Sequence, residues 1–520
     1  MEIKTDIEFT KIIKAPDVYT ETQTEYVLPD YNGDVRKILF TSADVRPSGK
    51  FAGTDEIEFS GIVVYNVVYS DSENNISSTS FTSDYDYSVK YSAEKYKDSF
   101  ADTRIANFAI RLIGPRKISA KASVAGSVRI AEHGEMTVSG SAFSGDEKPE
   151  VRSRTVRMRS TTASETVERE YAESLSRLDG AIADEVSVIY SEAEAIADEV
   201  TAGVGEVTVK GQLRLSAVIK NADEPAYLLE KILPIEETVP FESVSEDMSF
   251  VPELVVSSLN ATVNADETGS EVVLSAIVDF SVVGERNEQM EMLADAYMKS
   301  CATENTYEDF NYGELAALVV ENGTQNAAIT RAEFETDRLR EVIFLSALPK
   351  IESVESSGKG AKIVGEIRYS GIASELCDDG SVSYNPIKFS APFEENVNIN
   401  CQNCENLKLE AKAKAYSAGA SVDASKLYAS CILQLCVTAT NDKCERRLSC
   451  SEARTESPYE LHPARVVVYY PDANDTLFSV AKRFHTTPLK VALDNSLDVA
   501  VSSGSNAETS LKNVKNLLIY

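Results

Sequence analysis

Cys401 and Cys404 are separated by two residues, the spacing at which a pair of thiolates grips one zinc ion, and Cys431, Cys436, Cys444 and Cys450 follow downstream as further donors. The downstream pairs are spaced more widely than a second zinc knuckle. Cys431 and Cys436 lie in a run that reads as strand, where an odd separation turns them to opposite faces. Free structural thiols are therefore expected, with no metal and no cofactor. The three histidines, His133, His462 and His485, each fall in a turn or linker reading without a partnered nucleophile motif. No phosphate-binding Gly-x-x-x-x-Gly-Lys-Ser/Thr loop and no Gly-x-Ser-x-Gly elbow occurs. Asp and Glu total 83, so abundant carboxylates single out no acid and nucleophile pair for glycoside hydrolysis. The residue chemistry predicts a chain that is not an enzyme.

What does recur is structural. Ile38–Phe40 with Ala43 and Gly61 returns as Val188–Tyr190 with Ala193 and Gly211, and as Val342–Phe344 with Ala347 and Gly365. Alanine and glycine stand 18 residues apart each time, and successive glycines are 150 and 154 residues apart. A fixed spacing at a near-constant period reads as one unit in tandem copies. Around Gly61 the period is two: Ile57, Phe59, Val63, Tyr65, Val67 and Tyr69 share one face, then a turn at 71–75 leads into a return arm, Ile76–Tyr87. A third run, Phe108–Ile130, alternates again. The second copy repeats the plan with Val207–Ile219, Tyr227–Pro240, Leu254–Val263 and Glu271–Val283. The third does so with Ile363–Ser374, Val382–Phe393, Leu407–Tyr416 and Leu427–Thr438. Helical spacing is read at Val35, Ile38 and Leu39, at Met290, Leu293, Ala294 and Tyr297, and at Leu315–Val319.

The fold expected is mainly β, with three tandem β-rich modules over residues 1–145, 146–284 and 327–440, and a short helical connector over 285–326. A polar linker over 441–463, stiffened by Pro458 and Pro463, leads to a small βααβ unit over 464–520. The length of 520 residues agrees with three or four domains of roughly 150 residues. A net charge of −32 argues against nucleic acid or an anionic membrane as partner. The local basic run Arg152, Arg154, Arg157 and Arg159 reads as a solvated strand face offsetting nearby carboxylates. The first residues lack the apolar core of a signal peptide, and no apolar stretch of about 18 residues exists to insert in a membrane. Residence inside a cell is expected.

Leu28-Pro29-Asp30-Tyr31, Asp34, Ile38-Leu39 and the glycine-centred hairpin together resemble the spore-coat-associated SPOCS domain of spore-forming Firmicutes. The opening motif is complete in the first copy; the other two keep the aromatic, the alanine and the glycine. The tail, from Tyr469-Tyr470-Pro471-Asp472 through Asp475-Thr476-Leu477, Val480-Ala481, Phe484 and Asn495 to Leu517-Leu518-Ile519, resembles a LysM domain. In that family a shallow groove between the first-strand turn and the loop before the last strand commonly binds N-acetylglucosamine glycans. The resemblance places the groove at Asn474, Asp475, Thr476, Leu477, Val514 and Lys515. Asn474, His485 and Val514-Lys515 depart from the family's Gly, Gly and Gly-Gln. Asp475 and Thr476 are also candidate helix caps. The combination implies a non-catalytic scaffold of the spore coat at the forespore surface, in the mother-cell cytoplasm, that docks a coat-morphogenetic partner. The alternative is a cell-wall or cortex protein that holds peptidoglycan.

Overall fold

The computed structural model describes the chain apart from residues 1–4, 31, 180–185, 222–223, 243, 246, 267–268, 331–337, 358–359, 400–406, 424–425, 461–465, 498–510 and 513. The described chain is mainly β, arranged in several antiparallel sheets. It begins with β1 (Asp6–Lys14), β2 (Val18–Val27), β3 (Lys37–Ala52), β4 (Glu56–Ser70), β5 (Ile76–Lys90), β6 (Tyr96–Gly114) and β7 (Lys117–Thr137). β4 lies between β3 and β5, while β7 pairs with β1 and β2 along one edge and with β6 along the other. The alternation of β4 turns Ile57, Val63, Tyr65 and Val67 onto Ile118, Val124 and Val128 of β7, closing a two-sheet sandwich.

Two further sandwiches follow. After the short α1 (Ser141–Ser144), the second is built from β8 (Glu150–Asp179), β9 (Val186–Ala202), β10 (Glu206–Asn221), β11 (Tyr227–Pro240), β12 (Ser249–Asp266) and β13 (Gly269–Tyr297). β9-β10-β11 packs on β8-β13-β12. The third contains β14 (Cys301–Thr330), β15 (Leu339–Ser357), β16 (Gly360–Leu376), β17 (Val382–Asn398), β18 (Leu407–Val422) and β19 (Lys426–Pro458), with β15-β16-β17 on β14-β19-β18.

The spacing of 18 is a hairpin register. Ala43 lies opposite Tyr65 and Gly61 opposite Pro47; Ala193 opposite Leu215 and Gly211 opposite Ala197; Ala347 opposite Tyr369 and Gly365 opposite Ile351. At each glycine the neighbouring strand comes so close that an added Cβ would overlap a carbonyl oxygen, that of Arg46, Ile196 or Lys350. The ladder also slips one residue at Leu39, Ile189 and Ile343. Such a bulge turns two successive side chains the same way. Leu39 with Phe40, Ile189 with Tyr190, and Ile343 with Phe344 therefore all enter one cluster, shared by the three sandwiches. Phe40, Tyr190 and Phe344 meet edge to face there, with centroids 5.0 to 5.2 Å apart. The sandwiches close a ring: β3 touches β16 and β17, β15 touches β11, and β9 touches β5.

Beyond the ring, β1–β7, β8–β13 and β14–β19 continue as paired ribbons and form a stem. Its interior holds Met136, Val156, Met158, Met290, Met292 and Tyr312, then Val138, Leu293, Ala296 and Leu448.

The strands correct three expectations. The helical connector over 285–326 is strand, formed by the end of β13 and most of β14. Met290 and Met292 alternate inward, and a register shift between Leu293 and Asp295 adds adjacent buried residues, which imitates helical spacing. A shift between Leu315 and Ala317 likewise interrupts the period of two in β14, where Tyr312 and Leu315 are both buried. The linker over 441–463 is strand as far as Pro458, with residues 461–465 outside the description. Its polarity reflects a ribbon with one face in water. The helical turn read at Val35, Ile38 and Leu39 is the entry to β3, where the bulge at Leu39 broke the period of two.

Candidate functional site

The last 55 residues contain β20 (Val467–Tyr469), α2 (Leu477–Arg483), α3 (Pro488–Asp494) and β21 (Leu517–Ile519). β20 and β21 pair antiparallel, Val467 with Ile519 and Tyr469 with Leu517. Thr476 caps α2: its hydroxyl accepts from the Ser479 amide at 3.2 Å, and Ser479 Oγ accepts from the Thr476 amide at 2.9 Å. Thr487 caps α3, and Pro488 occupies its first turn, where a missing amide proton costs nothing. Leu477, Val480 and Ala481 of α2, Val491 and Ala492 of α3, and Leu517 of β21 make the core.

The six residues singled out in this unit divide by role. Leu477 is core. Thr476 is the cap. Asp475 is a buried hub rather than a cap: its carboxylate accepts from Tyr469 Oη at 2.6 Å, the Asp472 amide at 2.9 Å and Ser479 Oγ at 3.3 Å. The Tyr469 hydroxyl is the main reason the Asp475 carboxyl is held below its usual range, and the same bond raises the Tyr469 phenol. Arg483 donates to Tyr469 Oη and covers its ring at 5.2 Å. Asp475 also joins the two loops, because its carbonyl accepts from the Leu511 amide at 3.1 Å while Leu511 O accepts from the Val514 amide at 2.9 Å. Val514 is half-buried against the core. Asn474 and Lys515 are exposed on the joined loops. Along β20, Val466, Val468 and Tyr470 are exposed, Tyr470 at 71%.

A contact that the sequence reading missed fixes this unit to the stem. Tyr297 of β13 is part of the unit's core; its hydroxyl donates to Thr486 O at 2.6 Å, and its ring meets Phe478 edge to face at 5.2 Å. Burial pushes its phenol far above the ordinary value. Lys482 Nζ donates to both Asp295 oxygens, at 2.8 and 2.7 Å, and Arg152 lies 5.6 Å over the Phe478 ring. The His485 ring stacks on Tyr459, and burial holds its imidazole below the usual range. The available signal was Asp295 and Tyr297 themselves, polar and aromatic groups on the segment read as a helix.

Other candidate chemistry lies apart. Cys431 faces the third core, 3.4 Å from Tyr369 Oη, and Cys436 faces the opposite side, as the strand reading requires. Cys401, Cys404 and His462 fall outside the described residues. Among the described residues no group of three or more His, Cys, Asp and Glu side chains is placed to hold a metal ion. His133 is exposed on β7. Three of the four arginines of the basic run of β8 are matched to carboxylates, Arg154 to Glu445, Arg157 to Glu314 and Arg159 to Glu285, while Arg152 lies over the Phe478 ring with its Nε buried and unbonded. No described helix is long and apolar enough to cross a membrane. Comparison with protein-family models, curated proteins and solved structures gives no match.

Proposed function

We propose that the chain is a non-catalytic assembly protein of the bacterial spore coat, made of three tandem SPOCS-like modules and a LysM-like C-terminal unit that docks a coat-morphogenetic partner. The observation that carries this reading is the two-sided C-terminal unit. One side is fixed to the stem through Tyr297 and Asp295, while Asn474 and Lys515 remain exposed on two loops joined through Leu511. The exposed Val466, Val468 and Tyr470 of the same unit suit a protein surface, where apolar side chains supply much of the contact. The equal registers of the three sandwiches support tandem duplication. A charge of −32 favours a partner of basic or mixed charge.

The second reading, a holder of peptidoglycan, is favoured by the exposed ring of Tyr470 beside the same loops, since a sugar stacks on such a face. A fluorescent fusion of the full chain, followed through sporulation, tests the first reading. A shell at the forespore surface is expected, and uniform labelling of the cytoplasm or of the vegetative wall contradicts it.

A further inference from the structure

Where the ribbons leave the sandwiches, a cavity of about 140 Å³ is lined by strands from all three units. That is roughly ten times the ~10–15 Å³ needed by one water, so it has room for an ion of several heavy atoms. Its cationic groups are Lys11 and Lys14 of β1, Arg129 of β7, Arg159 of β8 and Lys408 of β18. Their gathering is notable in a chain of net charge −32.

The carboxylates present do not balance them. Glu285, fully buried, accepts from Arg159 Nε at 2.8 Å and Nη2 at 2.9 Å, and from Arg129 Nη1 at 2.8 Å. These two guanidinium groups hold its carboxyl below the usual range despite burial, which by itself would raise it. Arg159 spends Nη1 on Thr440 Oγ1, at 3.2 Å. Arg129 keeps Nε and Nη2 without a partner among the described residues. At the rim, Lys14 meets Glu410 at 3.3 Å, and Asp442 is the other lining carboxylate. Lys11 and Lys408 are exposed and have no partner among the described residues. Five cations against Glu285, Glu410 and Asp442 leave an excess of two positive charges.

We propose that this cavity binds a dianionic oxyanion, the phosphate group of free phosphate or of a phosphomonoester. Its cationic groups come from four strands of the first, second and third units, an arrangement that suits an anion with several acceptor oxygens. Buried Glu285 keeps Arg129 and Arg159 in place, and the exposed, unpartnered Lys11 and Lys408 add two further ammonium groups to the lining.

Calorimetric titration of the full chain with inorganic phosphate, and separately with methyl phosphate, at ionic strength held constant with chloride, tests the site. Saturable binding at one site is expected. Binding of both probes assigns recognition to the phosphate group, and binding of inorganic phosphate alone assigns the site to the free ion. Changing Lys11→Gln and Lys408→Gln together should weaken binding by about tenfold or more, since each ammonium makes a charge-assisted bond. Glu410→Gln removes a competing carboxylate and should tighten binding, a gain that misfolding does not imitate. No saturable binding, or an affinity unchanged in both variants, overturns the proposal.

Discussion

Asp475 bears more of the C-terminal unit than any other of the singled-out residues, because one carboxylate satisfies a tyrosine hydroxyl, a turn amide and the Ser479 hydroxyl of α2. Its folded pKa is depressed. Its stabilisation is therefore complete above the unfolded value of about 3.9 and is lost as pH falls through the lower folded value. Near-UV circular dichroism during an acid titration should show the tyrosine environment of the unit collapsing below about pH 4. Asp475→Asn, which weakens all three bonds, should cost about 1–3 kcal/mol in thermal unfolding at neutral pH and abolish that acid step. An acid step that persists in the variant would assign it to another carboxyl. The LysM resemblance, rather than spacing, put 474–477 and 514–515 in one locality, and the residue types offered Asp475 or Thr476 as the cap. Neither separated the hub from the cap, because Asp and Thr are both good capping types and the partner Tyr469 is fixed only by the fold.

Among the elements, the repeated hairpin is the best defined by its residues. Alternation placed β4, β10 and β16 and their return strands to within a few residues, since each has one face in a core. Gly211 shows why the motif needs glycine: a methyl group there would run into Ile196 O and the Ala197 backbone, and backbone yields far less than a flexible side-chain tip. Gly211→Ala should destabilise the chain by about 1–3 kcal/mol, read as a lower unfolding midpoint in urea without loss of β signal. A midpoint unchanged from the parent would show that β9 relaxes away at no cost. The ribbons were not legible in the same way. Bulges near Leu293 and Leu315 place buried residues three and four apart, and that spacing in an otherwise polar strand is also the signature of a helix. The second half of β19 carries alternating charge with little apolar content, since a ribbon buries so few of its residues, so composition alone made it a linker.

At the scale of the whole molecule, the recurring aromatic of each copy has a use that its own hairpin does not reveal. Phe40, Tyr190 and Phe344 are far apart in sequence, and only ring closure brings their edges and faces together. The stem carries that arrangement outward and holds the C-terminal unit in place through Tyr297, so the ring, stem and terminal unit are continuous. On the proposed reading, the loops that carry Asn474 and Lys515 would be presented from a fixed base, which lowers the ordering cost of binding. Because Tyr297 lies outside 464–520 yet belongs to the unit's core, the segment alone is a poor probe and binding belongs on the full chain. The most direct measurement mixes the full chain, unaltered or carrying Asn474→Asp with Lys515→Glu, with purified peptidoglycan and, separately, with solubilised spore-coat proteins. The account predicts that the chain stays in the supernatant over peptidoglycan and retains one coat protein, whose capture falls about tenfold or more in the variant. Sedimentation with peptidoglycan, released by chitin oligomers, would contradict it.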